Sequence, residues 1–389
     1  MSLKRQLVQS KNMNKKSKQL IPNYKTFIPQ ESIDNAVATL KTNWIGGDGP
    51  KVKEFEAEIA KIIKNKNVLA VSSGTAALQM ALRLSGVAGG EVISSPMTCF
   101  ATNAAIVNEG GVPVWADIDP ETGNINPEDI AKKITKRTKA IMVVHWGGSP
   151  AEIDTINKIA SAYNIPVIED AAQALGSEYA GKPIGTYSDY VAFSTQAIKI
   201  INTIDGGLLA TKKKIDTKRG KILRWYGIDR EERKWSETFA FWEYPIKEIG
   251  YKAQMTDVSA AVGLGQLPYL NKHLAHRRRL ARLYETALLN SKTVKAQKIL
   301  AKAKPNFWIF TVICDSPQTK MKLWKAMNKI SVKIEEAHRR NDIYPVFNKY
   351  RKDKLPGVTY FDENHVIIPV GHWVGKHDAA SIAEVLAGF

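Results

Sequence analysis

The chain has 389 residues, enough for two domains with separate cores, and 44% apolar with 24% charged residues is ordinary globular composition. No apolar run approaches the roughly 18 residues of a membrane span, and the basic, polar first twenty residues lack the apolar centre of a signal peptide. A net charge of +18 suits anionic ligands, but no basic stretch is interleaved with aromatics, so neither nucleic acid nor a membrane is an expected partner. Two cysteines, Cys99 and Cys314, build no disulfide framework and point to the reducing cytoplasm.

In chain order, residues 1–22 form a basic flexible tail. From about residue 67, short β-branched runs alternate with amphipathic stretches. Strands are predicted at NVLAVSSG, EVISSP, VPVWADID, AIMVVH, IPVIEDA, VAFS and GGLLAT. Helices fall between them at GTAALQMALRLSG, TCFATNAAIVNEGG, NPEDIAKKI and AEIDTINKIASAYN. Such alternation predicts βαβ units and a mostly parallel sheet covered on both faces. This large α/β domain runs over 23–255. At Thr256 a long helix begins, interrupted at Pro268, and leads into a smaller α+β domain; the second unit is 256–389. Arg277, Arg278, Arg279 and Arg282 on this helix read as a solvated face, with a nucleotide diphosphate site as the competing reading.

Ligands of open parallel sheets bind at the carboxyl ends of the strands, and three features collect there. Ser73, Gly74 and Thr75 open a helix directly after a strand, which makes either an anion site or a simple cap. Glu169 and Asp170 end another strand, with Gln173 one turn later; a carboxylate there is either a cap or a partly desolvated partner for a cation. Lys199 stands in the uncharged run AFSTQAIKIINTI after Ser194, either an exposed lysine on a helix edge or an amine with a depressed pKa. An anion cradle, a carboxylate and an amine are together what pyridoxal phosphate (PLP) requires. The motifs of P-loop, dinucleotide, zinc-protease and serine-hydrolase sites are missing from the sequence.

From Asn43 to the C-terminus the chain resembles the DegT/DnrJ/EryC1/StrS family of fold type I, PLP-dependent sugar aminotransferases. The likeness is carried by NWIGGDGPKVKEFE, SSGTAALQMAL, SSPMTCFATNAAI, VVHWGGSPAEID, VIEDAAQALGS, FSTQAIKIINTIDGG, LRWYGIDR, GYKAQMTDVSAAVGLGQL and HVIIPVGHW, in the family's order. It implies a seven-stranded-type sheet, a Schiff base between PLP and Lys199, and Asp170 on the ring nitrogen. Gln173 lies near the ring oxygen, and Ser73, Gly74, Thr75 and Ser194 hold the phosphate. Gln196 stands where the family often has His, and Cys99 where an aromatic ring often stacks on the cofactor; Phe100 is a candidate replacement. The family's sugar 3-dehydratases have histidine at the position of Lys199, so transamination is favoured. A homodimer with shared sites is implied, with Lys252 reaching the partner's phosphate in place of the family's usual arginine.

The expected reaction moves an amino group from glutamate or a similar donor to a keto-sugar, most simply a nucleotide-linked 4-keto- or 3-keto-6-deoxysugar. A cyclitol or other non-nucleotide ketone, or a PLP-binding sensor without turnover, are the alternatives. Trp44, His145, Trp146, Arg224 and Tyr226 are candidate substrate contacts, with core packing as the competing role for the aromatics. His273 and His276 share a basic helix face, which argues against a metal site.

Overall fold

The computed structural model describes residues 20–238, 241–350 and 353–389. Most of the predicted basic tail therefore lies outside the described residues. The large sheet has seven strands: β1 (Val68–Val71), β2 (Glu91–Ser94), β3 (Val112–Trp115), β4 (Thr138–Val144), β5 (Val167–Asp170), β6 (Tyr190–Ser194) and β7 (Gly207–Thr211). Their order across the sheet is β1-β7-β6-β5-β4-β2-β3. Pairing is parallel from β3 to β6, whereas β7 runs antiparallel to both β6 and β1. Strands β1, β5 and β7 are buried throughout, as sheets covered on both faces require. Alternate residues feed opposite cores: Val191 and Phe193 enter one apolar layer, Tyr190 and Ala192 the other.

Register brings the chemistry to one edge. Asp170 is opposite Val144 and Ala192, and Ser194 is opposite Gly207, which is itself opposite Val71. The ends of β1, β4, β5 and β6 and the start of β7 thus share a rim.

Two N-terminal helices, α1 (Gln30–Lys41) and α2 (Pro50–Ile63), precede β1 and were not among the predicted elements. Helix α2 buries Val52, Phe55, Ile59 and Ile63, a helical spacing that is readable in hindsight. Helices α3 (Gly74–Leu84) and α4 (Phe100–Asn108) follow β1 and β2 and cover one sheet face.

Thr256 caps α5 (Asp257–Gln266) by accepting from the Ser259 amide, and Pro268 sits in a tight turn before α6 (Leu270–Leu288). Leu270 and Leu274 of α6 enter the large core, while Leu280, Ala281, Tyr284 and Leu288 enter the smaller one. The smaller core is completed by three antiparallel strands, Val294–Ala296, Phe310–Cys314 and His365–Ile368. Ile21 also joins this unit through main-chain bonds with Ser331 and Lys333. No described helix is long and apolar enough to cross a membrane.

The arginine cluster departs from the solvated face expected of it. Arg277 is buried, its guanidinium donating to the carbonyls of Phe307 and Trp308, and Arg278 donates to those of Pro305 and Gly176. Arg279 and Arg282 are exposed. Two of the four therefore fasten α6 to the segment entering the small sheet.

Histidines at this junction are held neutral. His273 stacks on His372 at 5.2 Å, and Phe27 meets both edge-on. Burial lowers His273, His365 and His372 from 6.5 to about 4. The unfolded chain therefore binds more protons between those values, so stability rises with pH across the window. We expect full stability from these groups above pH 6.5 and a loss of a few kcal/mol between pH 6.5 and 4. Urea midpoints at several pH values check this, and a midpoint unchanged across the window would contradict it.

Candidate active site

Lys199 is carried on the loop between β6 and β7, closed at its base by Thr195 and Thr203. The Thr203 amide donates to the Thr195 carbonyl at 2.7 Å, their hydroxyls lie 2.7 Å apart, and the Thr195 amide donates to Gly206. Asn202 is clamped by Gln266, whose carboxamide accepts from its amide and donates to its carbonyl. Ile200 and Ile201 sink into the core, and the Lys199 amide donates to the Gln196 carbonyl. The lysine is thus fixed at both ends of its loop. Its Nζ lies 3.9 Å from the centroid of the Trp308 ring. Desolvation lowers its pKa to about 8, against the opposing pull of Asp170 and Cys99.

Glu169 and Asp170 point to opposite faces of the sheet, as adjacent strand residues must. Asp170 is 5% exposed. Its Oδ2 accepts from the Thr102 hydroxyl at 2.7 Å and its Oδ1 from the Ala172 amide at 3.1 Å. Thr102 is bonded in turn to Thr98, so α4 orients the carboxylate. Gln173 Oε1 accepts from the Gly147 amide at 2.7 Å. Its NH2 group is therefore the donor to His338 Nε2, at 3.2 Å. Burial, together with the charge of Lys199, pushes His338 down to about 3, so the ring is neutral.

Across the rim, Ser73 caps α3 by accepting from the Ala76 amide at 3.0 Å. The amides of Gly74 and Thr75 open this helix and have no acceptor within it. A Cβ on Gly74 would come within 2.9 Å of the Ser194 Cβ, so absence of a side chain is what lets the helix end meet β6. A Cβ on Gly207 would come within 2.4 Å of the Ser73 carbonyl. Because that neighbour is backbone, Gly207→Ala is expected to destabilise the fold by about 1–3 kcal/mol, read from urea unfolding. An unaltered midpoint would contradict the close approach.

An anion-ready helix end, an oriented carboxylate and a desolvated amine thus meet on one sheet edge. The DegT/DnrJ/EryC1/StrS aminotransferase family model matches residues 27–387. The chain belongs to this family. A GDP-perosamine synthase of Caulobacter vibrioides is 36% identical over 282 residues, 72% of this chain and 73% of that one. The structure of the sugar aminotransferase CalS13 from Micromonospora echinospora matches with a TM-score of 0.88 at 30% identity, covering 95% of this chain and 100% of that one. Spr1654 of Streptococcus pneumoniae, solved in a PLP form, matches with a TM-score of 0.86 at 25% identity over 95% and 98% of the two chains. As a DegT/DnrJ/EryC1/StrS aminotransferase, the protein is a PLP-dependent enzyme of fold type I.

Three of the candidate substrate contacts are buried. His145 is 0% exposed; its Nδ1 accepts from the Ala151 amide, so its Nε2 carries the proton shared with Glu169 at 2.8 Å. Trp146 is 1% exposed, donates to the Thr311 hydroxyl, and packs edge-on against Phe361 and His365. Arg224 is buried behind β1, where it donates to Glu56 at 2.7 Å, to the Ala70 carbonyl and to Asp48. His145 and the Trp146 indole N–H have their polar atoms committed inside the protein, and Arg224 places three of its five donors there.

The remaining candidates are accessible. Trp44 and Tyr226 are exposed, Tyr226 with a left-handed backbone (φ 56°). Gln196 is exposed ahead of Lys199, and its Oε1 accepts from the Ile198 amide. Lys252 is exposed, donating to Gln254 with its Nζ 4.1 Å from the Trp225 ring centroid. Cys99 precedes α4 and is near enough to Lys199 to influence its charge. Phe100 packs its ring against Tyr344 and Phe347. Sequence reasoning missed Thr102, Trp308 and His338. Thr102 sits one helical turn after Thr98, which was a readable hint, whereas Trp308 and His338 come from distant segments with no local signal.

Proposed function

We propose that the protein transfers an amino group from an amino acid, glutamate in the simplest case, to a nucleotide-linked 4-keto- or 3-keto-6-deoxysugar. The observation that carries this is Lys199: a desolvated amine on a pinned loop, sensing the charge of an oriented carboxylate, beside a helix end that two glycines let pack closely against the sheet. The likeness to GDP-perosamine synthases supports a nucleotide-linked acceptor. PLP, when bound, supplies an aldehyde for the amine and a protonated ring that takes up electrons released at the donor's Cα.

The residues fit that group. Gly74 and Thr75, with the hydroxyls of Ser73 and Ser194, would hold the phosphate at the α3 terminus. Asp170, oriented by Thr102, would keep a proton on the ring nitrogen. Gln173 would offer an amide N–H to the ring oxygen, and Cys99 and Gln196 would border the ring. Lys199 would attach the cofactor, then, once released, take the proton from the donor's Cα and deliver it to the C4′ carbon, with the reverse transfer serving the acceptor. With its pKa near 8 it can do both.

A homodimer belongs to the same proposal. Exposed Trp235, Trp242, Tyr244, Ile246 and Ile249 lie on and beside a two-stranded arm (Lys234–Ser236 with Phe241–Glu243), an apolar surface suited to a second copy. Exposed Lys252 would meet the phosphate of that copy's site. The test is 2-oxoglutarate release from glutamate on addition of GDP- or dTDP-linked 4-keto-6-deoxysugars, with the amino-sugar identified by mass. Release with free cyclitol ketones alone would overturn the nucleotide-sugar reading.

A further inference from the structure

We propose that Trp308 is a positioning residue that holds the Lys199 ammonium over its indole face whenever that amine is not joined to the cofactor. The proposal rests on the reading of Lys199 as the attachment point for PLP. The Lys199 Nζ lies 3.9 Å from the ring centroid, well inside the roughly 6 Å over which an aromatic face attracts a cation. Among the described residues no carboxylate lies within ion-pair distance of this lysine, so the ring face is its close electrostatic partner.

The platform is built rather than incidental. The Trp308 Nε1–H donates to the carbonyl of Ile198, the residue before Lys199, at 3.1 Å, which locks the ring to the lysine's own loop. Tyr24 stacks on the ring at 5.3 Å and 29°. The Trp308 amide donates to Asn306 Oδ1, and its carbonyl accepts from buried Arg277. A tryptophan needed only for packing requires a partner for its N–H and apolar surroundings; this one also gives a ring face to a cation.

A transaminase lysine must leave the cofactor in the first half-reaction and return to it at the end of the second. Over the indole the free amine waits in one place, and its charged form is favoured against the desolvation that opposes it. Removing the ring while keeping the site dry should therefore make Lys199 easier to deprotonate.

The full chain loaded with pyridoxamine 5′-phosphate leaves Lys199 free. Competitive labelling with trace acetic anhydride over a pH series, read on the Lys199 peptide by mass spectrometry, gives the midpoint at which the amine becomes neutral. We expect Trp308→Leu to lower that midpoint by about one pH unit, and Trp308→Phe to lower it by less and to retain more turnover. A lost packing partner alone would reduce stability and activity without moving the midpoint. Unchanged midpoints in both variants would overturn the proposal; should the leucine variant fail to fold, the phenylalanine variant decides by the same criterion. Borohydride reduction of the wild-type PLP form is run alongside. Adduct on Lys199 with no shift in the variants refutes the role of Trp308 alone, whereas adduct elsewhere refutes the reading beneath it.

Discussion

Lys199→Ala is expected to lower turnover by at least about a thousandfold while leaving PLP bound through the phosphate cradle and Asp170. The loss combines two roles in one atom: attachment of the cofactor and proton transfer at the donor's Cα. The fold should tolerate the change, because the loop is closed by Thr195 and Thr203 and clamped by Asn202 and Gln266, none of which uses the lysine side chain. Removing an amine that is costly to bury leaves stability level or slightly raised. Steady-state kinetics with glutamate, beside a urea unfolding curve, check both halves. Wild-type turnover in the variant would remove Lys199 from the chemistry.

Asp170→Asn should cost about 10²- to 10⁴-fold in turnover, the equivalent of losing a buried charge from its pair. Asparagine keeps the size, and its one carbonyl oxygen can still accept from the Ala172 amide while its NH2 group donates to the Thr102 hydroxyl, so the placement of the side chain survives. The negative charge that holds a proton on the ring nitrogen does not. A second consequence follows for Lys199. Asp170 raises the lysine's pKa, so its neutralisation lets that pKa fall further below 8, and the acid limb of the pH–rate profile should move to lower pH. A variant with slowed turnover and an unmoved acid limb would uncouple the two residues. Thr102→Val, which removes only the orienting hydroxyl, should give a smaller loss in the same direction.

Much of this site was legible in the sequence because its main groups announce themselves locally. Gly74 opens a helix directly after a strand, Asp170 ends an apolar run, and Lys199 interrupts an uncharged one. The parallel sheet was equally readable from β-branched runs separated by amphipathic stretches. The antiparallel course of β7 was harder to read, although the return from Ser194 to Gly207 lacks the helix that a parallel crossover usually carries. The burial of His145, Trp146 and Arg224 was not legible, for a physical reason. A polar or aromatic residue at a strand or helix end looks the same in sequence whether it faces a cleft or a buried partner. Glu169 decided for His145, Thr311 for Trp146, and Glu56 with Asp48 for Arg224. Trp308 and His338 were invisible for the opposite reason. They arrive from segments more than a hundred residues beyond Lys199, and only the tertiary fold brings them to it.

The most direct test of the central claim is to reduce the PLP-loaded wild-type protein with borohydride and map the modified peptide. The expected result is a yellow protein whose colour is bleached by glutamate, with the reduced cofactor fixed to Lys199 and the label lost in Lys199→Ala. A colourless protein, or cofactor fixed to another lysine, would contradict it.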